Sequence, residues 1–386
     1  MTKPKVAIIH DYLIQYGGAE KTLDALLEIY PEADIFTGIY IPSKFEKSIT
    51  SKKVTAPTGA ILGKIYKYFT FLMPLVFENF DLRKYDLILS EGTAWPKGVL
   101  TKPHQLHISY IHTPPRFLYK YSVESSKRNK WYFKWAIAII DHYLRLWDFV
   151  AAQRPDFLLA NSNEIQKRIK KFYKRDAKVI YPPVEVNFKL SAEHNDPDNI
   201  KQPYYLAAGR LVAYKNFDLL VSAFNLLGLP LYIVGTGLEE KRLRKMAKSN
   251  IIFMGRAPDQ VKHRLMKNAL GLINPIADED FGIVPIEALS HGTPVLAHKS
   301  GGHLEFIKEG FNGMFFEQLT VEHLVQQIKA FDTNVHAKKY DRDAIRQDVQ
   351  KFSKERFKQE VKDFVDQKWE EHARTTGSIY NNDRPE

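Results

Sequence analysis

The chain has 386 residues, 44% of them hydrophobic, a length that suits two domains of about 150 to 200 residues better than one and enough apolar material for two cores. It contains no cysteine, which excludes disulfide scaffolds, thiolate metal sites and cysteine nucleophiles and fits a reducing cytosol. The net charge of +11 sits in the first half: residues 1–190 hold 29 Lys and Arg against 18 Asp and Glu, whereas residues 191–386 hold 27 of each.

The opening "MTKPKVAIIHDY" has an apolar run of only four before His10, too short for the core of a signal peptide. No uninterrupted apolar run approaches the roughly 18 to 20 residues that span a bilayer, so no crossing is expected. "KVAIIH" (5–10) is a short β-branched strand, and a glycine turn leads from it into a helix over 19–30. "ADIFTG", "YDLILSEG", "LHISYIHT" and "DFLLANS" follow as buried strands, with "AKVIYPPV" closing the set. Runs that are apolar on both faces and separated by helical stretches predict a parallel sheet covered by helices. This first domain is expected over 1–187. A polar, proline-bearing linker is expected over 188–202.

The rhythm then restarts over 203–352. "YYLAAG", "LPLYIVG", "NIIFMG", "ALGLINP", "TPVLA" and "NGMFF" are predicted strands, with helices over 216–227, 239–249 and 259–268 between them. "SKERFKQEVKDFVDQKWEEHA" predicts a long amphipathic helix over 353–372, and a polar, mobile tail is expected over 373–386. The expectation is α/β: two Rossmann-like, doubly wound domains in tandem, with a crevice beside the carboxyl ends of their sheets.

Ligands in such folds sit at strand-to-helix turns. In "YGGAE", Gly17 and Gly18 let a ligand approach the backbone at a helix N-terminus, although a glycine pair before a helix is equally an ordinary turn. In "AAGRLVAYKN", Arg210 and Lys215 offer a guanidinium fork and a point charge that suit a diphosphate, or two solvated surface cations. "YIVGTGLEE" has Gly235 and Gly237 after a strand, but Glu240 replaces the third glycine of a dinucleotide fingerprint, and no acid follows about 20 residues later. A nicotinamide dehydrogenase is therefore disfavoured. "NPIADEDFGIVPIEALSHG" places Glu279 in a loop after a strand and Glu287 in the first turns of the next helix. The amides of Phe281, Gly282 and Ile283 lie at that helix start. Asp278 and Asp280 form a D-x-D that could chelate a divalent ion, but Arg210 and Lys215 make a metal redundant for neutralising a diphosphate.

Taken together, "GGAE", "GRLVAYKN", "IVGTGLEE" and the E-x7-E of "EDFGIVPIE" resemble the retaining family 4 glycosyltransferases of GT-B fold, over roughly residues 5–371. "FDLRKYDLILSEG", "HTPPRFLY", "DHYLRLWDFVAAQRPDFLLANS" and "VIYPPV" look closest to its mannosyltransferase-like, GDP-mannose-dependent members. The resemblance implies that Glu279 hydrogen-bonds hydroxyls of the donor sugar and that Glu287 holds the nucleotide ribose. It implies that Arg210, Lys215 and the amides of residues 281–283 hold the diphosphate, and that Gly17 and Gly18 close over it. His112, in "YIHTPPR", matches a histidine beside the transferred sugar; without that match it reads as a core or turn histidine. The catalytic set is then Glu279, His112, Arg210 and Lys215, with no cofactor and no metal. One departure stands out: "NPIADED" has Ala277 where many members carry Ser or Thr. By the same resemblance the last helix crosses back to the first domain.

The expected function is transfer of a hexosyl, mannosyl above all, from a nucleotide sugar to a lipid-linked or polysaccharide acceptor. An epimerase of the same fold would want acids that these motifs do not supply, and a non-enzymatic polyanion-binding module would leave Glu279 and His112 without a task. "ILGKIYKYFTFLMPLVF" (61–77) and "KYSVESSKRNKWYFKWAIAIIDHYLRLW" (120–147) mix lysines with aromatics in a way that suits an anionic membrane surface, or simply the packing of the first domain. The protein is thus expected in the cytoplasm, peripheral on the inner face of the membrane. The basic run "QKRIKKFYKR" (166–175) reads as a solvated helix face rather than a nucleic-acid contact, because no recognition motif accompanies it.

Overall fold

Every residue of Val6–His10 is buried, as the centre of a sheet covered on both faces requires. In the computed structural model, which describes residues 3–57, 70–119, 134–191 and 202–380, this strand (β1) leads a seven-stranded parallel sheet. The others are β2 (Asp34–Thr37), β3 (Val54–Thr55), β4 (Leu87–Gly92), β5 (Leu106–Ile111), β6 (Phe157–Ala160) and β7 (Lys178–Val179). Their order is β3-β2-β1-β4-β5-β6-β7, so the winding reverses between β1 and β4. Only β3 lacked a sequence signal, since Val54 and Thr55 stand in the polar stretch "SKKVTAP".

Alternation along each strand divides the core. Ile8, Leu87 and Leu89 face Leu23 and Leu26 of the helix Gly18–Ile29, whereas Ala7, Ile9 and Ile88 face Phe77, Trp95 and Leu144. The first face is completed by Phe357, Val361, Phe364 and Val365 of the final helix, Lys354–Tyr380. That helix extends past the expected boundary at 372; residues 381–386, the remainder of the expected tail, lie outside the described residues. The basic run 166–175 falls mainly on the helix Asn163–Tyr173, which Ser162 caps by accepting from the Ile165 amide. Ile165, Ile169 and Tyr173 point inward, and Lys167, Lys170 and Lys171 are solvated.

A second six-stranded parallel sheet comprises β8 (Tyr205–Ala208), β9 (Leu231–Val234), β10 (Ile251–Gly255), β11 (Gly271–Asn274), β12 (Val295–His298) and β13 (Gly313–Phe316). Its order, β10-β9-β8-β11-β12-β13, reverses between β8 and β11. The described residues form two compact units, 3–183 with 354–380 and 184–353. Both are α/β and doubly wound. Most of the linker expected over 188–202 lies outside the described residues.

Candidate active site

The reversal points are where crevices open at the carboxyl ends of strands, and both units place polar side chains there. In the second unit, the loop after β8 carries Arg210, exposed, and Lys215, half-buried. The Lys215 side chain folds over the strand end, its Nζ 3.5 Å from where a Cβ on Gly209 would stand. Asn216 takes a left-handed backbone and donates its amide to the Pro275 carbonyl (3.0 Å), which ties this loop to the one after β11.

The "GTG" turn after β9 explains itself at this point. The Gly209 amide donates to the Val234 carbonyl, the Leu211 amide donates to the Thr236 carbonyl, and a Cβ on Gly235 would overlap the Gly209 carbonyl oxygen. This glycine lets two loop backbones abut; its φ of +136° is itself unfavourable for other residues. Gly235→Ala is therefore expected to lower the unfolding free energy by about 3 kcal/mol or to prevent folding. A denaturant midpoint equal to that of the wild type would refute this account.

Glu279 lies in the loop after β11, half-buried. Its carbonyl accepts from the Gly302 amide (2.8 Å), and the Asp278 amide donates to Ser300 Oγ (2.8 Å), so the loop after β12 holds its backbone. Close behind is His303, fully buried, paired with the Asn274 side-chain amide through Nε2 and with the His298 carbonyl through Nδ1. Burial lowers its pKa; the Glu279 carboxylate opposes that shift and the Lys215 ammonium adds to it. One histidine thus senses both groups, which brings the loops after β8, β11 and β12 together. Sequence reading passed over His303, although a histidine just beyond a strand, in "SGGHLEF", was available as a signal.

Phe281 is 2% exposed and packs its ring against Phe306 and Phe352, so it anchors the loop rather than lining a cavity. Gly282 stands at the N-cap of the helix Ile283–Ser290, which no side chain caps. Glu287, in the second turn and 1% exposed, receives Lys262 Nζ on both oxygens (3.1 and 3.0 Å). Lys262, on the helix Asp259–Asn268, was also missed; in sequence it is one of several lysines on a polar helix.

In the first unit, Gly17 caps the helix Gly18–Ile29 without a side-chain bond, and Glu20 follows in its first turn, buried. His10 and Glu91 are register partners on β1 and β4, at the reversal of that sheet, and His112 follows β5 next to it. Glu91, 0% exposed, accepts from His10 Nδ1 on one oxygen and from His112 Nε2 (2.5 Å) on the other. His10 Nε2 lies 3.7 Å from Glu20 Oε1. Burial alone would raise the Glu91 pKa, but the two imidazoles hold it at about 2. Burial alone would lower that of His10, but Glu91 and Glu20 raise it well above 6.5. An ionised carboxylate and an imidazolium therefore share a dry pocket, and the bond to Glu91 commits the Nε2 proton of His112. Among the described residues, no group of three His, Asp or Glu side chains is arranged to hold a metal ion.

Comparison with known proteins bears on this arrangement. Residues 191–360 match the family model described as glycosyl transferases group 1. An uncharacterized glycosyltransferase of Methanocaldococcus jannaschii is 23% identical over 282 residues, 72% of each chain. The alpha-1,3/1,6-mannosyltransferase ALG2 of Dictyostelium discoideum is 26% identical over 242 residues, 51% of this chain and 58% of that protein. Among solved structures, Anabaena HepE in complex with UDP-glucose superimposes with a TM-score of 0.68 at 19% identity, covering 94% of this chain and 99% of that one. Sucrose-phosphate synthase from Thermosynechococcus elongatus gives 0.71 at 15% identity, covering 95% and 99%. The fold is the two-unit α/β fold of the GT-B enzymes, and the chain is a glycosyltransferase of that fold.

Proposed function

We propose that the protein transfers a hexosyl group, mannosyl by preference, from GDP-mannose to a hydroxyl of a lipid-linked or polysaccharide acceptor, with retention at the anomeric carbon and without a metal. The observation that carries this reading is that Lys215 and Glu279 both act on His303 at the carboxyl end of the second sheet, where the loop bearing Arg210 and the helix start at 281–283 also lie. In this reading Arg210 and Lys215 take up the charge that develops on the nucleotide diphosphate as it leaves. Glu279 accepts hydrogen bonds from sugar hydroxyls, Glu287 receives the ribose, and Gly17 and Gly18 admit the donor closely. His112 offers Nδ1 to the sugar, since its Nε2 is bonded to Glu91. The acceptor hydroxyl attacks from the face that the diphosphate vacates. Work on a lipid-linked acceptor would place the protein in the cytoplasm, peripheral on an anionic membrane face.

Similarity to ALG2 supports mannose and hence a guanosine donor. The UDP-glucose complex of HepE supports a uridine donor as the second reading. A melting-temperature panel of GDP-mannose, UDP-glucose, ADP-glucose and dTDP-glucose, with and without magnesium, decides between them. At 100 times its dissociation constant the true donor adds about 2.7 kcal/mol. GDP-mannose is expected to give the largest shift and magnesium to add nothing. A shift with UDP-glucose alone would move the donor to uridine, and no shift with any of the four would remove the reading.

A further inference from the structure

The helix Lys134–Ala151 carries its polarity inside out. Both of its acids are buried: Asp148 pairs with Lys97 (2.6 Å) and accepts from the Tyr119 hydroxyl (2.9 Å), and Asp141, about two turns earlier on the same inward row, is buried as well. Trp135, Ile139, Tyr143, Leu146, Phe149 and Val150, spaced by three and four residues, are exposed instead, Trp135 at 83% and Ile139 at 70%. The neighbouring helix Met73–Glu78 adds Leu75 to this surface. The two helices are bound together, Glu78 Oε1 accepting from Trp147 Nε1 (2.8 Å) and Arg154 Nη2 (2.6 Å). Met73, Phe77 and Leu144 enter one core cluster, so both helices cover the same face of the sheet. Such a row of exposed apolar side chains along one helix marks an interaction surface.

We propose that this face lies on an anionic membrane surface, its apolar side chains entering the headgroup layer. The inference rests on the membrane partnership proposed above and adds where it is made. Three observations select that occupant. The exposed face carries Trp and Tyr and no acid, the composition that suits the boundary between headgroups and acyl chains. It belongs to the half of the chain with a net charge of +11, which draws that half toward anionic lipid; pairing the face with a second copy would instead bring two such halves together. Among the described residues no helix is long and apolar enough to cross a membrane, so the face would lie in the interface plane. The flanking stretches 61–69 and 120–133 lie outside the described residues.

Flotation of the full chain with vesicles of phosphatidylglycerol and phosphatidylcholine tests this, beside phosphatidylcholine alone. The wild type is expected to float with the anionic vesicles, and Ile139→Ser/Leu146→Ser to bind them at least tenfold more weakly while keeping the same melting temperature and monomeric mass. Equal binding by the variant would move the membrane contact to another face. A wild type that binds no vesicle would remove the partnership itself. If the wild type is a dimer and the variant a monomer, the face belongs to a second copy and the proposal falls.

Discussion

Lys215→Ala is expected to lower kcat about 10²- to 10³-fold, with a much smaller rise in KM for the donor. Lys215 Nζ is folded over the end of β8, beside the reversal of the second sheet and within electrostatic reach of His303. A nucleotide diphosphate is anionic before reaction, so on the proposed reading the lysine would contribute to binding. It gains further negative charge as the glycosyl bond breaks, and only that increment lowers the barrier. The side chain is half-buried and crosses no core, so the melting temperature should hold. A variant with unchanged kcat and raised KM would mean that Lys215 binds donor and transition state alike. The leaving-group role would then pass to Arg210 alone.

Glu91→Gln should change two quantities at once. Gln keeps the shape but removes the anion that accepts from both imidazoles, leaving His10 buried with only Glu20, 3.7 Å away, as counterion. Breaking a buried pair of this kind costs about 3–5 kcal/mol. Turnover should fall about 10²-fold as well, because an amide fixes neither the tautomer nor the orientation of His112 as a carboxylate does. The pH profile separates this from a general loss of packing. A glutamate held at about 2 when folded stabilises fully above its unfolded value of about 4.3, and less as pH falls from there toward 2. His10, raised when folded, stabilises fully below about 6.5 and less as pH climbs through its folded value. Wild-type stability from this cluster should therefore be greatest between about pH 4.5 and 6.5 and decline on the alkaline side. Urea titrations from pH 4 to 9 should show that slope in the wild type and a flatter line in Glu91→Gln. Parallel lines would mean that the cluster is uncharged in the native protein.

The strands were legible because their composition is simple. Runs such as "VAIIH" and "LYIV" are apolar at both faces, which only a covered parallel strand tolerates, and the edge strand Val54–Thr55 was missed because it lies in the polar stretch "SKKVTAP", whereas the equally short Lys178–Val179 opens the apolar run "KVIYPPV". The second-unit loops were legible as motifs. Arg210, Lys215 and Glu279 all follow strands that border the reversal of their sheet. What stayed hidden was partnership across the fold. Glu91 sat in plain view as a lone acid at the end of an otherwise apolar strand, yet nothing local says that two histidines 81 and 21 residues away share its oxygens. Lys262 and Glu287 are likewise 25 residues apart, joined only by the packing of two helices. Phe281 shows the converse: a residue assigned to the donor by its motif has a side chain that belongs to the core.

The final helix has a consequence for the birth of the protein. Phe357, Val361, Phe364 and Val365 complete a core begun by Ile8, Leu23 and Leu26, so that core cannot close on the ribosome until the helix Lys354–Tyr380 has been made. Residues 184–353 intervene. At about 5–20 residues per second their synthesis takes roughly 10 to 35 s. During that interval the leading unit carries an open apolar trough while the trailing one, contiguous in sequence, is free to fold as it appears. A nascent chain stalled after Ser353 would hold a finished second unit and an unfinished first. The helix Lys354–Tyr380 thereby acts as a completion signal for a sheet made before residues 184–353.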